Sequence, residues 1–251
     1  MEESKYLEFG RSYMESQLKR TNGINNNHQK ITTEPFITFS REPGAGSSVI
    51  VDKSYKFLEI NDRPLHGNWY IFDKELIHQV LEDEGLHKDV INAMPDRKYS
   101  HIDEIIQELL GVRPSRLQLI QKTNEVIHRL AENGNVILLG GGSYIITRKM
   151  PGGLHVRLIG SREQRIKRYE FELNLDRKSA EKALDKEETN RIGYIKKVFG
   201  KNITDSLLYD LIINTDHISE NDAAEIIGRQ VIHIRNILAE REKTNISSQV
   251  Y

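Results

Sequence analysis

Short apolar runs alternate with longer amphipathic segments along the chain, and this alternation predicts strands and helices in turn. The run NVILLG at 135–140 is uninterrupted and bounded by glycine, which is typical of a parallel strand covered on both faces. Five runs are predicted as strands: 35–40, 68–73, 135–140, 154–160 and 210–215. Helices are predicted at 48–60, 74–85 and 101–111, after Pro114 as far as Asn133, through most of 161–200, and after Ser219, which can cap the last helix.

The order of strand and helix, repeated along the chain, predicts an α/β fold. It should have three layers, with a central parallel sheet of about five strands flanked by helices. Residues 1–33 are expected to hold a helix at 3–20 and a polar, Asn-rich linker at 21–33. The expected organisation is an N-terminal helical extension over 1–33, one domain over 34–240 with a charged segment at 161–200, and a C-terminal tail over 241–251. Because ligands of such sheets bind at the carboxyl ends of the strands, we expect the site in the loops that leave them there.

Composition excludes several classes of function. The 251 residues include 36 Lys and Arg against 37 Asp and Glu, a balance that argues against a dedicated nucleic-acid-binding domain. The absence of cysteine excludes disulfides, Cys-ligated zinc, iron–sulfur clusters and a thiol nucleophile. No run of about 18 apolar residues is present, and the acidic N-terminus lacks the apolar segment of a signal peptide. We therefore expect a cytoplasmic protein without nucleic-acid or membrane partners.

A glycine-rich loop, REPGAGSS at 41–48, follows the first strand and precedes a helix. Compared with the phosphate-loop pattern G-x-x-x-x-G-K-[S/T], Gly46 matches the last glycine and Ser48 the hydroxyl that binds Mg²⁺. Arg41 and Ser47 stand where the pattern has its first glycine and its lysine. Backbone N–H groups at the start of a helix bind anions without a side-chain charge. The residues predicted to bind ATP are Arg41, Gly44, Ala45, Gly46, Ser47 and Ser48, with Mg²⁺ on Ser48, and the alternative is an ordinary turn between a strand and a helix.

Five stretches in collinear order resemble the cytidylate kinase-like family over roughly residues 35–240: ITFSREPGAGSS, YIFDKELI, VILLGGGSYIIT, the charged stretch 161–200, and YDLIINT. The resemblance implies the nucleoside monophosphate kinase version of the P-loop kinase fold, with ATP and Mg²⁺ as cofactors. In that family the first loop typically reads SRE-x-G-x-G, so the lysine is already absent. The family usually places Gly-Arg after the third strand, where the arginine grips a phosphate. This chain has Gly140-Gly141 instead.

Three further residues are expected near the acceptor nucleotide of such a kinase. Asp73 ends the second strand, where the family binds the acceptor, and it can also cap the helix at 74–85. Gly140 either permits a close approach of the backbone to a ligand or forms a tight turn. Arg97 lies in the segment that would cover the acceptor and is a candidate for its phosphate.

The charged stretch 161–200 resembles the lid of nucleoside monophosphate kinases. Planar guanidinium groups match the oxygen atoms of a moving phosphoryl group, so such a lid uses arginine. The residues predicted to act in catalysis are Arg165, Arg168 and Arg191, with Asp185 orienting Arg191. The alternative is a pair of solvated, charged helices.

These features predict ATP-dependent phosphoryl transfer to a nucleoside monophosphate, of which cytidylate is the one that the family implies. The partner expected is a small nucleotide substrate. Two other readings stay open. The missing lysine and arginine suit a nucleotide-binding regulatory protein with little or no catalysis, and the same fold can serve a kinase of a different small hydroxyl substrate.

Overall fold

A computed structural model describes residues 34–64, 68–73 and 116–248. The predicted helices at 3–20, 74–85 and 101–111, the linker at 21–33, and Arg97 lie outside these residues.

Five parallel strands form one central sheet in the order β2-β3-β1-β4-β5. They are β1 (Phe36–Arg41), β2 (Tyr70–Phe72), β3 (Val136–Leu139), β4 (Gly153–Ile159) and β5 (Leu211–Asn214). Each strand lies on one of the predicted apolar runs, and its ends differ from the prediction by one or two residues. Because β1 is central, Phe39 pairs with Leu139 on one side and Val156 on the other. The glycine-rich loop therefore leaves the middle of the sheet.

Helices cover both faces of the sheet and complete the predicted three-layer α/β fold. They are α1 (Ser47–Asn61), α2 (Arg116–Asn133), α3 (Ser143–Ile146), α4 (Arg162–Leu173), α5 (Arg177–Phe199) and α6 (Glu220–Ser248). On one face, Ile50 of α1 and Ile227 of α6 belong to a cluster that includes Phe39. On the other face, Ile127 of α2 packs with Leu138 of β3. Burial of these apolar side chains on both faces explains why the strands read as uninterrupted apolar runs.

The charged stretch 161–200 forms a helical hairpin, α4 and α5, with a small apolar core of its own. Ser161 and Asp176 cap the two helices by accepting backbone N–H groups of their first turns. Asn174, with φ 49°, ends α4 in the left-handed conformation. The core of the hairpin holds Ile166, Tyr169, Ala180 and Leu184.

The last helix, α6, begins where the sequence predicts, because the backbone N–H of Asp222 donates to Ser219 Oγ at 3.2 Å. It continues through Ser248, into the segment 241–251 that the sequence analysis assigns to a tail. Among the described residues, no helix is both long and apolar enough to cross a membrane.

A buried ion cluster joins α6 to the amino-terminal edge of the sheet. The Arg235 guanidinium donates to both carboxylate oxygens of Asp62 at 2.7 Å, to Asn135 Oδ1 at 2.6 Å, and to Glu34. Trp69 Nε1 donates to the Asp62 carboxylate at 2.7 Å. Burial lowers the pKa of Arg235 to about 10 and raises the pKa of Asp62. This cluster lies at the end of the sheet opposite the glycine-rich loop.

Candidate active site

The glycine-rich loop passes from β1 into α1 through two glycine residues with left-handed backbone conformations. Gly44 has φ 74° and Gly46 has φ 71°, which L side chains rarely adopt. Gly46 is the N-cap residue of α1, and no side chain caps this helix. The first N–H groups of a helix carry the positive end of its dipole. A Cβ at Gly46 would meet no atom of the described residues within 4 Å, so they leave space beside this end of the helix.

The Arg41 side chain lies at the carboxyl edge of the sheet, against the turn after β3. A Cβ on Gly140 would be only 2.7 Å from Arg41 Nη1, so glycine at 140 leaves room for the guanidinium. Burial, and to a smaller extent the positive charge of Arg191, lowers the pKa of Arg41 to about 10. Glu187, Tyr169 and Asp73 act in the opposite direction and raise this pKa. The guanidinium is therefore still protonated at neutral pH. Its buried Nε has no hydrogen-bond partner among the described residues.

The structure brings the three predicted lid arginines to the glycine-rich loop, where they contact its backbone carbonyl oxygens. Arg165 donates to Pro43 O at 3.3 Å, Arg168 to Gly44 O at 3.2 Å, and Arg191 to Arg41 O at 3.0 Å. The sequence indicates that Arg165 and Arg168 share a helix face. It does not show that this face would meet the loop through carbonyl groups.

The prediction that Asp185 orients Arg191 is corrected by the structure. The Asp185 carboxylate accepts two hydrogen bonds from Arg162, at 2.5 and 3.1 Å, on the exposed side of the hairpin. Arg191 instead pairs with Glu187, one turn earlier on α5, and Glu187 also accepts a hydrogen bond from the Tyr169 hydroxyl. The reason is helical geometry, because residues four apart face each other and residues six apart do not.

Glu42 is a site residue that the sequence analysis missed. Its carboxylate accepts the backbone N–H of Gly160 at 3.1 Å and lies 3.5 Å from Arg165 Nε and 3.7 Å from Arg157 Nη2. These contacts tie the loop to the end of β4 and the start of α4. The signal that was available is the place of Glu42 in the loop, directly after Arg41.

Arg157 is the second residue that the sequence analysis missed. It is buried on β4, beside Ser40 in the strand register, and donates to Ser40 Oγ at 3.1 Å. Its guanidinium also lies 5.4 Å from the ring centroid of Tyr209. A buried charge needs partners, and here the partners belong to β1, the loop and the segment before β5. An arginine inside the apolar run LHVRLIG is the signal that could have identified it.

Asp73 follows β2 at the same edge of the sheet as Arg41 and is half-buried. It is one of the groups that favour the charged form of Arg41. The helix that Asp73 was predicted to cap lies outside the described residues, as does Arg97.

Comparisons with known proteins identify the family and the fold of this chain. The model of a family described as the cytidylate kinase-like family matches residues 36–217. The solved structure of an uncharacterised protein from Eubacterium ventriosum is 18% identical, has a TM-score of 0.56, and covers 79% of this chain and 98% of its own, which shows a shared fold. A comparison with curated protein sequences found no match.

Two kinases of known structure are less similar to this chain. Shikimate kinase from Bacteroides thetaiotaomicron is 13% identical with a TM-score of 0.42, covering 80% of this chain and 97% of its own. Dephospho-CoA kinase from Campylobacter jejuni is 13% identical with a TM-score of 0.37, covering 82% of this chain and 100% of its own. The family match is the stronger finding, because it runs from the first residue of β1 to beyond the end of β5 and includes the glycine-rich loop and the hairpin. The chain belongs to the cytidylate kinase-like family.

Proposed function

We propose that this protein transfers a phosphoryl group from ATP to a nucleoside monophosphate, with Mg²⁺ as cofactor. Membership of a kinase-like family supports phosphoryl transfer to a small substrate. The observation that carries the proposal is the loop 41–48, where an uncapped helix N-terminus and the Arg41 guanidinium lie at the same edge of the sheet.

The backbone N–H groups of Gly44 and of residues 46–48 would hold the phosphates of the donor, whereas the N–H of Ala45, also predicted to bind, closes a turn onto Glu42 O. The space beside Gly46 fits a phosphate group there. Ser48 lies exposed in the first turn of α1, and its hydroxyl would contribute one oxygen ligand to Mg²⁺, with phosphate and water completing the shell. Bound Mg²⁺ neutralises part of the phosphate charge.

Arg41 is proposed as the cation that takes the place of the missing lysine. Ser47 and Gly141 supply no charge where the family patterns have lysine and arginine. Arg41 stays protonated at neutral pH, and its Nε is buried without a partner among the described residues. A buried N–H without an acceptor is costly, and a phosphate oxygen would satisfy it.

Arg191 is proposed to contact the transferring phosphoryl group. It is close enough to Arg41 to lower the pKa of that residue, and its side chain is more exposed than that of Arg165. Two guanidinium groups next to each other repel unless an anion lies between or beside them. Positioning and charge stabilisation would carry the reaction, without a covalent intermediate.

The acceptor is proposed to bind beside Asp73 and Gly140, with Arg97 as a candidate for its phosphate. Asp73→Asn tests this assignment, because it keeps the size and the capping ability of the side chain. We expect it to weaken monophosphate binding or turnover much more than ATP binding, measured by calorimetry and ADP release. If only thermal stability changes, Asp73 serves the fold and not the acceptor.

The reaction itself is tested by incubating the full chain with ATP, Mg²⁺ and a panel of nucleoside monophosphates. We expect ADP to form in the presence of an acceptor and hardly at all in its absence. Thermal shifts with the same panel identify bound nucleotides independently of turnover. Stabilisation by ATP without ADP from any acceptor would favour a nucleotide-binding regulatory protein, the candidate that Ser47 and Gly141 support. Turnover with only a non-nucleotide alcohol would favour a different small-molecule kinase.

A further inference from the structure

Hydrogen bonds hold the peptide planes of the glycine-rich loop from Arg41 to Ala45. The loop is anchored to the sheet at Glu42, whose N–H donates to Leu158 O at 3.0 Å. It is closed into a turn by Ala45, whose N–H donates to Glu42 O at 3.2 Å. The carbonyl oxygens of Arg41, Pro43 and Gly44 accept from Arg191, Arg165 and Arg168 respectively.

The direction of a carbonyl group fixes the direction of the next N–H group. In a trans peptide the two point to opposite sides of the chain, and none of the described peptide bonds is cis. Arg165 holds Pro43 O on the side of α4, so the N–H of Gly44 points to the other side. Arg168 holds Gly44 O in the same manner, which aims the N–H of Ala45 into its turn bond with Glu42. The hairpin therefore occupies the carbonyl side of the loop and leaves the other side to a ligand.

Arg165 and Arg168 are also fixed by other partners, so their contacts with the loop do not depend on the loop alone. Arg165 is buried and donates its Nε to Gly160 O at 3.1 Å. Arg168 donates to Thr215 Oγ1 at 3.0 Å and to Thr215 O at 2.7 Å. Arg165 thus joins the loop to the end of β4, and Arg168 joins it to the end of β5.

Gly44 completes the contact between the loop and the hairpin. A Cβ on Gly44 would lie 2.5 Å from the backbone oxygen of Arg165, which is closer than real Cβ atoms come to such an atom. The backbone of α4 therefore lies directly on the loop. This part of the hairpin serves as the support of the loop.

We propose that Arg165 and Arg168 are positioning residues that hold the outer, carbonyl side of the phosphate loop. Arg165 keeps the N–H of Gly44 on the side of the ligand, and Arg168 keeps the turn closed that Ala45 makes with Glu42. The inference rests on the proposed function only in taking that ligand to be a phosphate group. It assigns the two residues a role different from contact with the transferring phosphoryl group. A phosphate on the N–H side of the loop is separated from both guanidinium groups by the loop backbone.

The two roles differ in what happens before any nucleotide binds. A positioning residue orders the loop in the free protein, whereas a residue that touches only the transferring group does not. Arg168→Ala is the test variant. Arg168→Lys keeps the positive charge, but its single ammonium group replaces a guanidinium that reaches both Gly44 and Thr215. The matched control is Arg162→Ala, on the same helix, because the Arg162 guanidinium binds Asp185 and not the loop.

The experiment measures hydrogen exchange of the loop in ligand-free protein, where the N–H groups of Glu42 and Ala45 are hydrogen-bonded. Calorimetry then measures the affinity for Mg·ATP and for inorganic pyrophosphate. Because Arg168 holds the Gly44 carbonyl and thereby the turn that Ala45 closes, Arg168→Ala should speed exchange and weaken both ligands roughly tenfold, which corresponds to about 1.4 kcal/mol of binding free energy. Arg168→Lys should lie between Arg168→Ala and wild type, and Arg162→Ala should match wild type.

Two results would overturn the positioning role. One is an Arg168→Ala protein with wild-type exchange and affinity but reduced turnover, because the arginine would then act on the transferring group. The other is faster exchange of equal size in Arg162→Ala, because the effect would then come from a loosened hairpin. If Arg168→Ala does not fold, Arg168→Lys decides, and unchanged exchange in that variant also counts against the role. If wild type binds neither ATP nor pyrophosphate, the proposed function fails, yet exchange in the free protein still decides the positioning role.

Discussion

A pair of alanine substitutions at left-handed glycine residues separates phosphate binding from backbone strain. Gly46 has φ 71° and Gly200 has φ 64°, and within the described part of the chain a Cβ at either position would meet no atom within 4 Å. Alanine in this conformation costs about 1–2 kcal/mol, so Gly46→Ala and Gly200→Ala should lose similar free energies of unfolding. Only at Gly46, the N-cap residue of α1, would the new Cβ enter the space assigned to phosphate.

The expected loss of ATP affinity follows from the bonds that the Cβ would disturb. A hydrogen bond between a loop N–H and a phosphate oxygen contributes about 1.5–3 kcal/mol, so losing one weakens ATP binding roughly tenfold to a hundredfold. Gly200 is the C-cap residue of α5 and not part of the loop, so its substitution should leave ATP binding unchanged. Calorimetry with Mg·ATP measures the affinities, and urea unfolding measures the stabilities.

The comparison has a clear contrary outcome. If both variants lose similar stability and both bind ATP as wild type does, then the loop does not hold phosphate at Gly46. The proposal that residues 44–48 bind the donor would then be wrong, whatever the turnover of the wild-type protein.

Three further predictions concern the charges of the site and of the fold. Arg41→Ala should weaken ATP binding about tenfold or more, measured by calorimetry. Arg191→Ala should lower turnover, measured by ADP release, with little change in ATP binding, because its contact would form mainly in the transition state. The reverse pattern would exchange the two roles. Gly140→Ala should displace the Arg41 guanidinium and so weaken ATP binding. The double variant Gly140→Ala/Arg41→Ala should then bind ATP no more weakly than Arg41→Ala alone. Fully additive losses of affinity would contradict the contact between Gly140 and the Arg41 side chain. Arg235→Met should lower the free energy of unfolding by about 3–5 kcal/mol, because it removes the cation from two buried carboxylates, whereas Arg229→Met, at an exposed pair, should cost less than about 1 kcal/mol. Equal losses in urea unfolding would contradict a stabilising role of the buried cluster.

The fold could be predicted from the sequence because its signals are local. A strand such as 136–139 is a short apolar run between glycine-containing turns, and the pattern needs no knowledge of its neighbours. The cap at Ser219 could likewise be predicted, since a cap acts on residues of its own first turn. Strand ends differ by one or two residues because hydrogen bonding across the sheet, and not apolarity, decides where pairing stops.

The site could be predicted only in part, because most of its contacts join segments far apart in the chain. The glycine-rich loop is a local pattern and lies where it was expected. Arg157 was missed because its role depends on the register that sets it beside Ser40. The error at Asp185 was of another kind, because Glu187 lies four residues before Arg191 on the same helix and the spacing alone could have identified it. The contacts of Arg157 and of the hairpin with the loop, in contrast, require the packing of distant segments, which no single segment encodes.

Both interpretations of the charged stretch 161–200, a part of the site and a pair of solvated helices, apply to the hairpin, each to one of its sides. One side of it is a solvated surface, where Arg177 pairs with Glu163 and both are about half exposed. The other side meets the loop through arginine residues. A charge-rich helix can therefore be a solvent-facing surface and a part of the site at once, depending on the face.

Cations behind a phosphate loop influence its ligand even without touching it. Arg165 lies close to Glu42 and Glu188, which offset its charge. Arg168 donates its hydrogen bonds to neutral oxygen atoms, those of Gly44 and Thr215, and the carboxylates of Glu172 and Asp216 lie close enough to offset its charge as well. Inside a protein such a charge is screened less than in water, and hydrogen bonds to a carbonyl also polarise the N–H of the same peptide. Since both guanidinium groups have carboxylates nearby, we expect them to act on an anion mainly through the loop peptides that they hold, and we expect Arg41 to supply the positive charge that the missing lysine would supply.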